Sequence, residues 1–157
     1  GRRSKKSKIN VELMASIEEI QNDIIEEFNM FEDWMEKYEY VIELGKTLPL
    51  INVQYKTEEH IIKGCQSQVW LHADFRNENV IYTADSDAIM TKGIIALLVR
   101  TFSNQKPSNI INASTDFIEQ IGLKEQLSPT RANGLLSMVK QMKLYALAFQ
   151  SKNTNTC

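Results

Sequence analysis

The sequence predicts an α+β domain: a small antiparallel sheet of about three strands, packed by N-terminal and C-terminal helices. The period of the apolar residues carries that reading. It is helical through residues 12–44, alternates one-in-two from Val69 to Phe75, and is helical again beyond residue 88. No internal repeat or long linker divides the 157 residues. One domain over residues 12–150 is therefore expected, between an N-terminal arm (1–11) and a polar tail (151–157).

In the first helical stretch Leu13, Ile17, Ile20, Ile24, Phe28, Phe31, Met35, Tyr38 and Ile42 form one stripe. It is too long for one short helix, so a break near Asn29 and a stop at Gly45 give two. Residues 47–62 show no period and contain Pro49. Val69, Leu71, Ala73 and Phe75 then alternate with Trp70, His72, Asp74 and Arg76, as in a strand with one buried face. Asn77-Glu78-Asn79 makes a turn into a second strand over residues 80–84, and residues 60–64 offer a third. Asp85-Ser86-Asp87-Ala88 opens a helix by capping, with Met90, Ile94, Leu97, Leu98 and Phe102 inward, until Lys106-Pro107 ends it. A short helix over residues 116–121 stops at Gly122. Ser128-Pro129 starts the last helix, whose stripe is Leu135, Met138, Val139, Met142, Tyr145 and Phe149.

The net charge of −2 is uneven. Arg2, Arg3, Lys5, Lys6 and Lys8 crowd the arm, which reads as disordered or as a cloning remnant, and alternatively as a nucleic-acid or headgroup contact. Without those five, 13 cations face 20 acids, a body near −7 that argues against nucleic acid as the main partner. No apolar stretch is long enough to span a membrane, and no apolar segment follows the basic arm. With so few cysteines, a reducing cytoplasmic location is expected.

The chain has two cysteines, Cys65 and, in the tail, Cys157. Too few Cys and His residues occur for a structural zinc or iron–sulfur site, and no phosphate loop or nucleophile elbow is present. Cys65 lies between Lys63-Gly64 and Gln66-Ser67-Gln68, at a turn beside the sheet. It reads either as a presented nucleophile or as an inert buried thiol. A thiolate needs a cation or hydrogen-bond donors, which Lys63, Gln66, Ser67 and Gln68 would supply, while Gly64 permits a sharp turn. Asp87 reads first as a helix cap. Arg131, a cation in a helix's first turn, opposes the helix dipole and calls for a carboxylate, with Asp87 one candidate.

Four blocks resemble the SufE family: Tyr38-Glu39-Tyr40-Val41-Ile42-Glu43-Leu44-Gly45 with Leu48-Pro49; Gly64-Cys65-Gln66-Ser67-Gln68-Val69-Trp70; Asp85-Ser86-Asp87-Ala88 with Lys92-Gly93; and Leu127-Ser128-Pro129-Thr130-Arg131 with Asn133-Gly134-Leu135. The resemblance spans residues 17–149. It implies a SufE/NifU-like fold and a carrier that takes persulfide sulfur from a pyridoxal-phosphate-dependent cysteine desulfurase of the SufS type. It further implies that the carrier stimulates that enzyme and passes sulfur to a SufBCD-type scaffold for iron–sulfur clusters. Cys65 is then the acceptor, Gly64, Gln66, Ser67, Gln68 and Trp70 form its loop and shelter with Val69, and Asp87 and Arg131 position or dock. The carrier needs no metal or cofactor of its own, pyridoxal phosphate belonging to the partner, and has no independent turnover. Other readings stay open: the related CsdE branch, an interaction module with an incidental thiol, and a thiol enzyme acting alone.

Overall fold

The computed structural model describes residues 15–65 and 67–155, with the side chains of residue 124 and of 153–155 outside the description. The basic arm, Leu13, Gln66 and Cys157 therefore lie outside the described residues.

Two capped helices come first. In α1 (Ile17–Asn29) the Ser16 hydroxyl accepts from the Glu19 N–H at 3.1 Å, and Ile17, Ile24 and Phe28 face the core. In α2 (Trp34–Gly45) the Asp33 carboxylate accepts from the Glu36 N–H at 2.9 Å. The break after Asn29 falls where the stripe outgrew one helix, but it also turns α2 about its axis. Met35, expected inward, is 68% exposed, and Val41 is fully buried instead.

The hairpin pairs β1 (Val69–Arg76) with β2 (Asn79–Ser86), from Val69 opposite Ser86 to Arg76 opposite Asn79. Asn77 and Glu78 both take positive φ, 53° and 66°, the geometry that matches a hairpin's twist. Val69, Leu71, Ala73, Val80, Tyr82 and Ala84 line its inner face. The expected third strand does not form, and the described sheet has two strands. Residues 58–60 wind into a 3₁₀ turn, and only Ile61 bridges to Trp70. Residues 49–62 instead strap the outer face. Ile51 N–H bonds the Ala84 carbonyl at 3.0 Å on one edge, and Ile62 N–H bonds that of Val69 at 2.9 Å on the other. Between these anchors Tyr55 stacks on His72 with ring centres 3.8 Å apart. His60 turns its ring to His72 at 3.3 Å, so this stretch packs by side chains where a strand would pair by backbone.

α3 (Ile89–Phe102) is the central helix, buried at every residue from Gly93 to Val99. It ends before the expected Lys106-Pro107, because Asn104 takes a φ of +60° and its N–H bonds the Val80 carbonyl at 2.7 Å. Pro107 instead begins α4 (Pro107–Asn112). α5 (Asp116–Gln120) and the unforeseen α6 (Leu123–Gln126) follow, separated by Gly122 at φ +76°. α7 (Pro129–Asn155) runs past residue 151, where a polar tail was expected. The buried Tyr82 hydroxyl donates to the Met142 carbonyl at 2.5 Å and joins α7 to the sheet. Among the described residues no helix is long and apolar enough to cross a membrane.

α2 and α3 touch backbone to backbone. A Cβ on Gly93 would lie 2.1 Å from the Val41 carbonyl oxygen, and one on Gly45 would lie 3.0 Å from the Gly93 nitrogen. Arg100 of α3 clamps Glu27 of α1 through two bonds, at 3.0 and 2.7 Å, and the Tyr40 hydroxyl of α2 donates to the same carboxylate. Arg100 holds the Glu27 carboxyl below its usual range, while burial, then the Glu27 bond, pushes Tyr40 up to about 12. Gly93→Ala should therefore cost about 3 kcal/mol or prevent folding, since the obstacle is backbone. A urea midpoint unchanged from the parent's would refute this crossing.

Candidate functional site

Residues 63–68 form a loop fastened at both roots. Ile62 and Val69 close one end through the 2.9 Å bond already described. At the other, Asp87 accepts from the Gln68 N–H at 3.0 Å, and its own N–H bonds the Gln68 carbonyl at 3.3 Å. Asp87 is thus not the helix cap its position suggested. Ala88 occupies the cap position of α3 without a side-chain bond, and the Ser86 hydroxyl accepts from the Ala88 N–H at 3.2 Å. Asp87 ties the loop to the start of α3.

Gly64 sits at φ +92°, a conformation L side chains rarely adopt, and a Cβ there would lie 3.1 Å from the Ser137 hydroxyl. This turn directs Cys65 inward against α7. The thiol is half-buried, with Sγ 3.8 Å from the Gly134 carbonyl. A Cβ on Gly134 would stand 3.1 Å from that sulfur, so glycine at this point of α7 is what admits the cysteine.

The sulfur borders a cavity of about 30 Å³. Its apolar walls are Val69, Ile94, Ile95, Leu98, Leu135 and Met138, and Ser67, Thr91 and Arg131 bring its polar groups. That volume admits one or two atoms the size of water, enough for an added sulfur. Burial pushes the Cys65 thiol above its ordinary pKa, contrary to the thiolate-stabilising setting expected from the sequence. Lys63 is exposed.

The expected site residues separate by strand alternation and by the loop's path. Val69 lines the cavity, whereas Trp70 points to the outer face, where the Lys56 ammonium lies 5.1 Å from its ring centre. Lys56 also pairs with Asp85 at 2.6 Å, and Lys92 reaches the same carboxylate at 3.3 Å. Ser67 lies on the cavity side, its hydroxyl donating to Thr91 at 3.1 Å, while Gln68 is exposed and held by its backbone. Arg131 is exposed on the cavity wall, its N–H bonded to the capping Ser128 hydroxyl at 3.3 Å. Among the described residues no ion pair joins it to Asp87. Sequence reasoning missed Thr91, which carries no local signal, and Gly134. A glycine inside a helix costs about 1 kcal/mol against alanine, and that cost was the available hint of a close approach.

A family model described as the SufE "Fe-S metabolism associated domain" matches residues 22–146. The chain belongs to the SufE family. SufE-like protein 1, chloroplastic/mitochondrial, of Arabidopsis thaliana is 42% identical over 143 residues, 88% of this chain and 38% of that protein. The chain thus spans well under half of the plant relative's length. An uncharacterized SufE-like protein of Rhizobium etli is 42% identical over 137 residues, covering 83% of this chain and 88% of its own. The solution structure of a hypothetical protein from Thermus thermophilus superposes with a TM-score of 0.71 at 18% identity, over 84% of this chain and 96% of that one. This last likeness concerns the fold alone.

Two outcomes follow for this SufE thiol. Because burial favours the neutral form, the stability it contributes is full below the unfolded thiol pKa of about 8.5 and fades as pH rises through the higher folded value. Alkylation of Cys65 in the folded protein should accordingly be slower than that of glutathione at pH 8. Its pH midpoint should lie above that of the urea-unfolded chain, and a midpoint at or below it would contradict the burial. Gly134→Ala should displace the sulfur from its seat and speed alkylation several-fold, which mass spectrometry of the labelled protein would detect.

Proposed function

We propose that Cys65 is the sulfur acceptor of a carrier serving iron–sulfur cluster assembly. Its donor is the persulfide of a pyridoxal-phosphate-dependent cysteine desulfurase of the SufS type, and its recipient a SufBCD-type scaffold. The observation that carries this reading is the seat of Cys65. The Cys65 thiol is tucked beside a cavity of atomic size, on a loop that turns at Gly64, in a chain of the SufE family. A cavity of that size suits storage of one sulfur atom better than turnover of a small molecule.

The chemistry is thiol–persulfide exchange. Cys65 loses its proton, and the thiolate attacks the outer sulfur of the donor persulfide. A bond forms between Sγ and that sulfur as the donor's sulfur–sulfur bond breaks. The donor cysteine leaves as a thiolate and is reprotonated. One neutral sulfur atom has moved, with no external oxidant or reductant. Clearing the donor's persulfide is also what stimulates the desulfurase.

The raised thiol pKa fits a carrier that is protected while alone, since thiolate character governs oxidation as well as attack. Docking turns the loop outward, Gly64 absorbing the backbone change, and brings the thiol into a more polar setting where it ionises. Asp87 holds the closed loop and Arg131 stands where a persulfide or a partner would meet it. Both act in positioning or docking.

Intact-mass analysis tests this after mixing the protein with an active SufS-type desulfurase, pyridoxal phosphate and cysteine. The parent and Cys157→Ser should each gain a sulfur that Cys65→Ser does not, with faster alanine release. Neither adduct nor stimulation, with the desulfurase shown active, would leave an interaction module in which Cys65 is incidental.

A further inference from the structure

We infer that Thr91 is a positioning residue for Cys65: its hydroxyl latches Ser67 and so sets how readily the Cys65 loop leaves the cavity. The inference takes its functional meaning from the carrier reading, but its physical content stands on geometry alone.

The loop meets the start of α3 at two consecutive residues. Gln68 is held by backbone and carboxylate bonds to Asp87. Ser67 is held only by its side chain among the bonds described, donating to Thr91 Oγ1 at 3.1 Å. Asp87 immediately precedes the Ala88 cap and Thr91 lies in the first turn, so both anchors sit at the start of the helix. Asp87 fastens the root of the loop, whereas Thr91 fastens the residue two along from the thiol, and Ser67 and Thr91 both line the cavity that Cys65 borders.

Position decides which anchor controls the sulfur. With Ser67 held, Cys65 lies between two fastened points, the Ile62–Val69 bond and the Ser67–Thr91 bond. Gly64, at φ +92°, immediately precedes the thiol. An outward turn of Cys65 pulls on Ser67 before it pulls on Gln68. Breaking the bond in the closed state would also leave the half-buried Thr91 hydroxyl without its Ser67 partner, beside a cavity lined mainly by apolar side chains. In the opened state water can replace Ser67. The bond therefore stabilises the closed loop selectively, and removing it enlarges the open fraction.

The test is the rate of Cys65 alkylation by iodoacetamide in the free protein, in a Cys157→Ser background so that one thiol reports. Thr91→Val keeps the side-chain shape and deletes the hydroxyl, and should raise the rate about three- to tenfold, the range of one neutral hydrogen bond. Ser67→Ala should do the same, and the double variant should be no faster than either single one, because they delete one interaction. Thr91→Ser restores a hydroxyl and should react like the parent. Thr83→Val, which removes a hydroxyl from β2 outside the cavity, controls for general loosening and should leave the rate unchanged. A Thr91→Val rate equal to the parent's, a Thr91→Ser rate as fast as Thr91→Val, or an equal acceleration by Thr83→Val would each overturn the latch.

With an active desulfurase, a larger open fraction should lower the half-saturating carrier concentration by the same factor. If neither parent nor Thr91→Val accepts sulfur, the carrier reading fails while the alkylation series still decides the latch.

Discussion

Contact between Gly93 of α3 and the Val41 carbonyl of α2 fixes the central helix, and the remaining elements are arranged around it. With no side chain at the crossing, α3 sits deep enough to be covered by α1 and α2 on one side and by the hairpin and α7 on the others. Its middle carries only apolar residues and glycine, Gly93 to Val99, as burial on all sides demands. The polar groups near its two ends serve as attachment points. Arg100 anchors α1 and α2 through Glu27, while Thr91 and, just before the helix, Asp87 receive the Cys65 loop. The Cys65 loop is thus attached to the start of the central, most buried helix.

The loop itself answers a conflict in the chemistry. Attack on a sulfur donor needs a thiolate, yet a permanently ionised, exposed thiol is the form most easily lost to oxidation. Seating Cys65 against Gly134, beside Val69, Leu135 and Met138, disfavours ionisation by desolvation alone. No permanent cation is then required, and reactivity becomes a matter of where the loop is. Among the described residues, the bonds that hold the loop at Ser67 and Gln68 are of ordinary length, 3.1 and 3.0 Å.

Local signals in the sequence gave way to long-range ones along this same division. The break near Asn29, the stop at Gly45, the hairpin and the Ser128-Pro129 start were legible, because caps, breakers and alternation act over a few residues. The rotation of α2 that exposes Met35 was not, since the angle across a break depends on what both helices pack against. The third strand failed for a similar reason: the stacking of Tyr55 on His72 and the His60–His72 bond lie in no single stretch of sequence. At the site, the position of Cys65 on a turn beside the sheet was legible. Its neighbour Gly134, 69 residues on, and the loop's attachments to Thr91 and Asp87 emerge only when α3 and α7 converge.

The strap over the outer face bears on how the loop can open. One strand face is covered by residues 49–62, whose two ends are bonded to opposite edges of the hairpin. The second of those anchors, Ile62 to Val69, is also the first root of the Cys65 loop. Lys56 on Asp85, Tyr55 on His72 and the His60–His72 bond hold the strap between its ends. The start of the Cys65 loop is therefore held by a well-fastened segment, and its other attachments are the hydroxyl of Thr91 and the carboxylate of Asp87 at the start of α3. The sheet and strap are thus bonded independently of the Gly64 turn, an arrangement in keeping with the proposed carrier role, in which only a short segment around Cys65 would need to move.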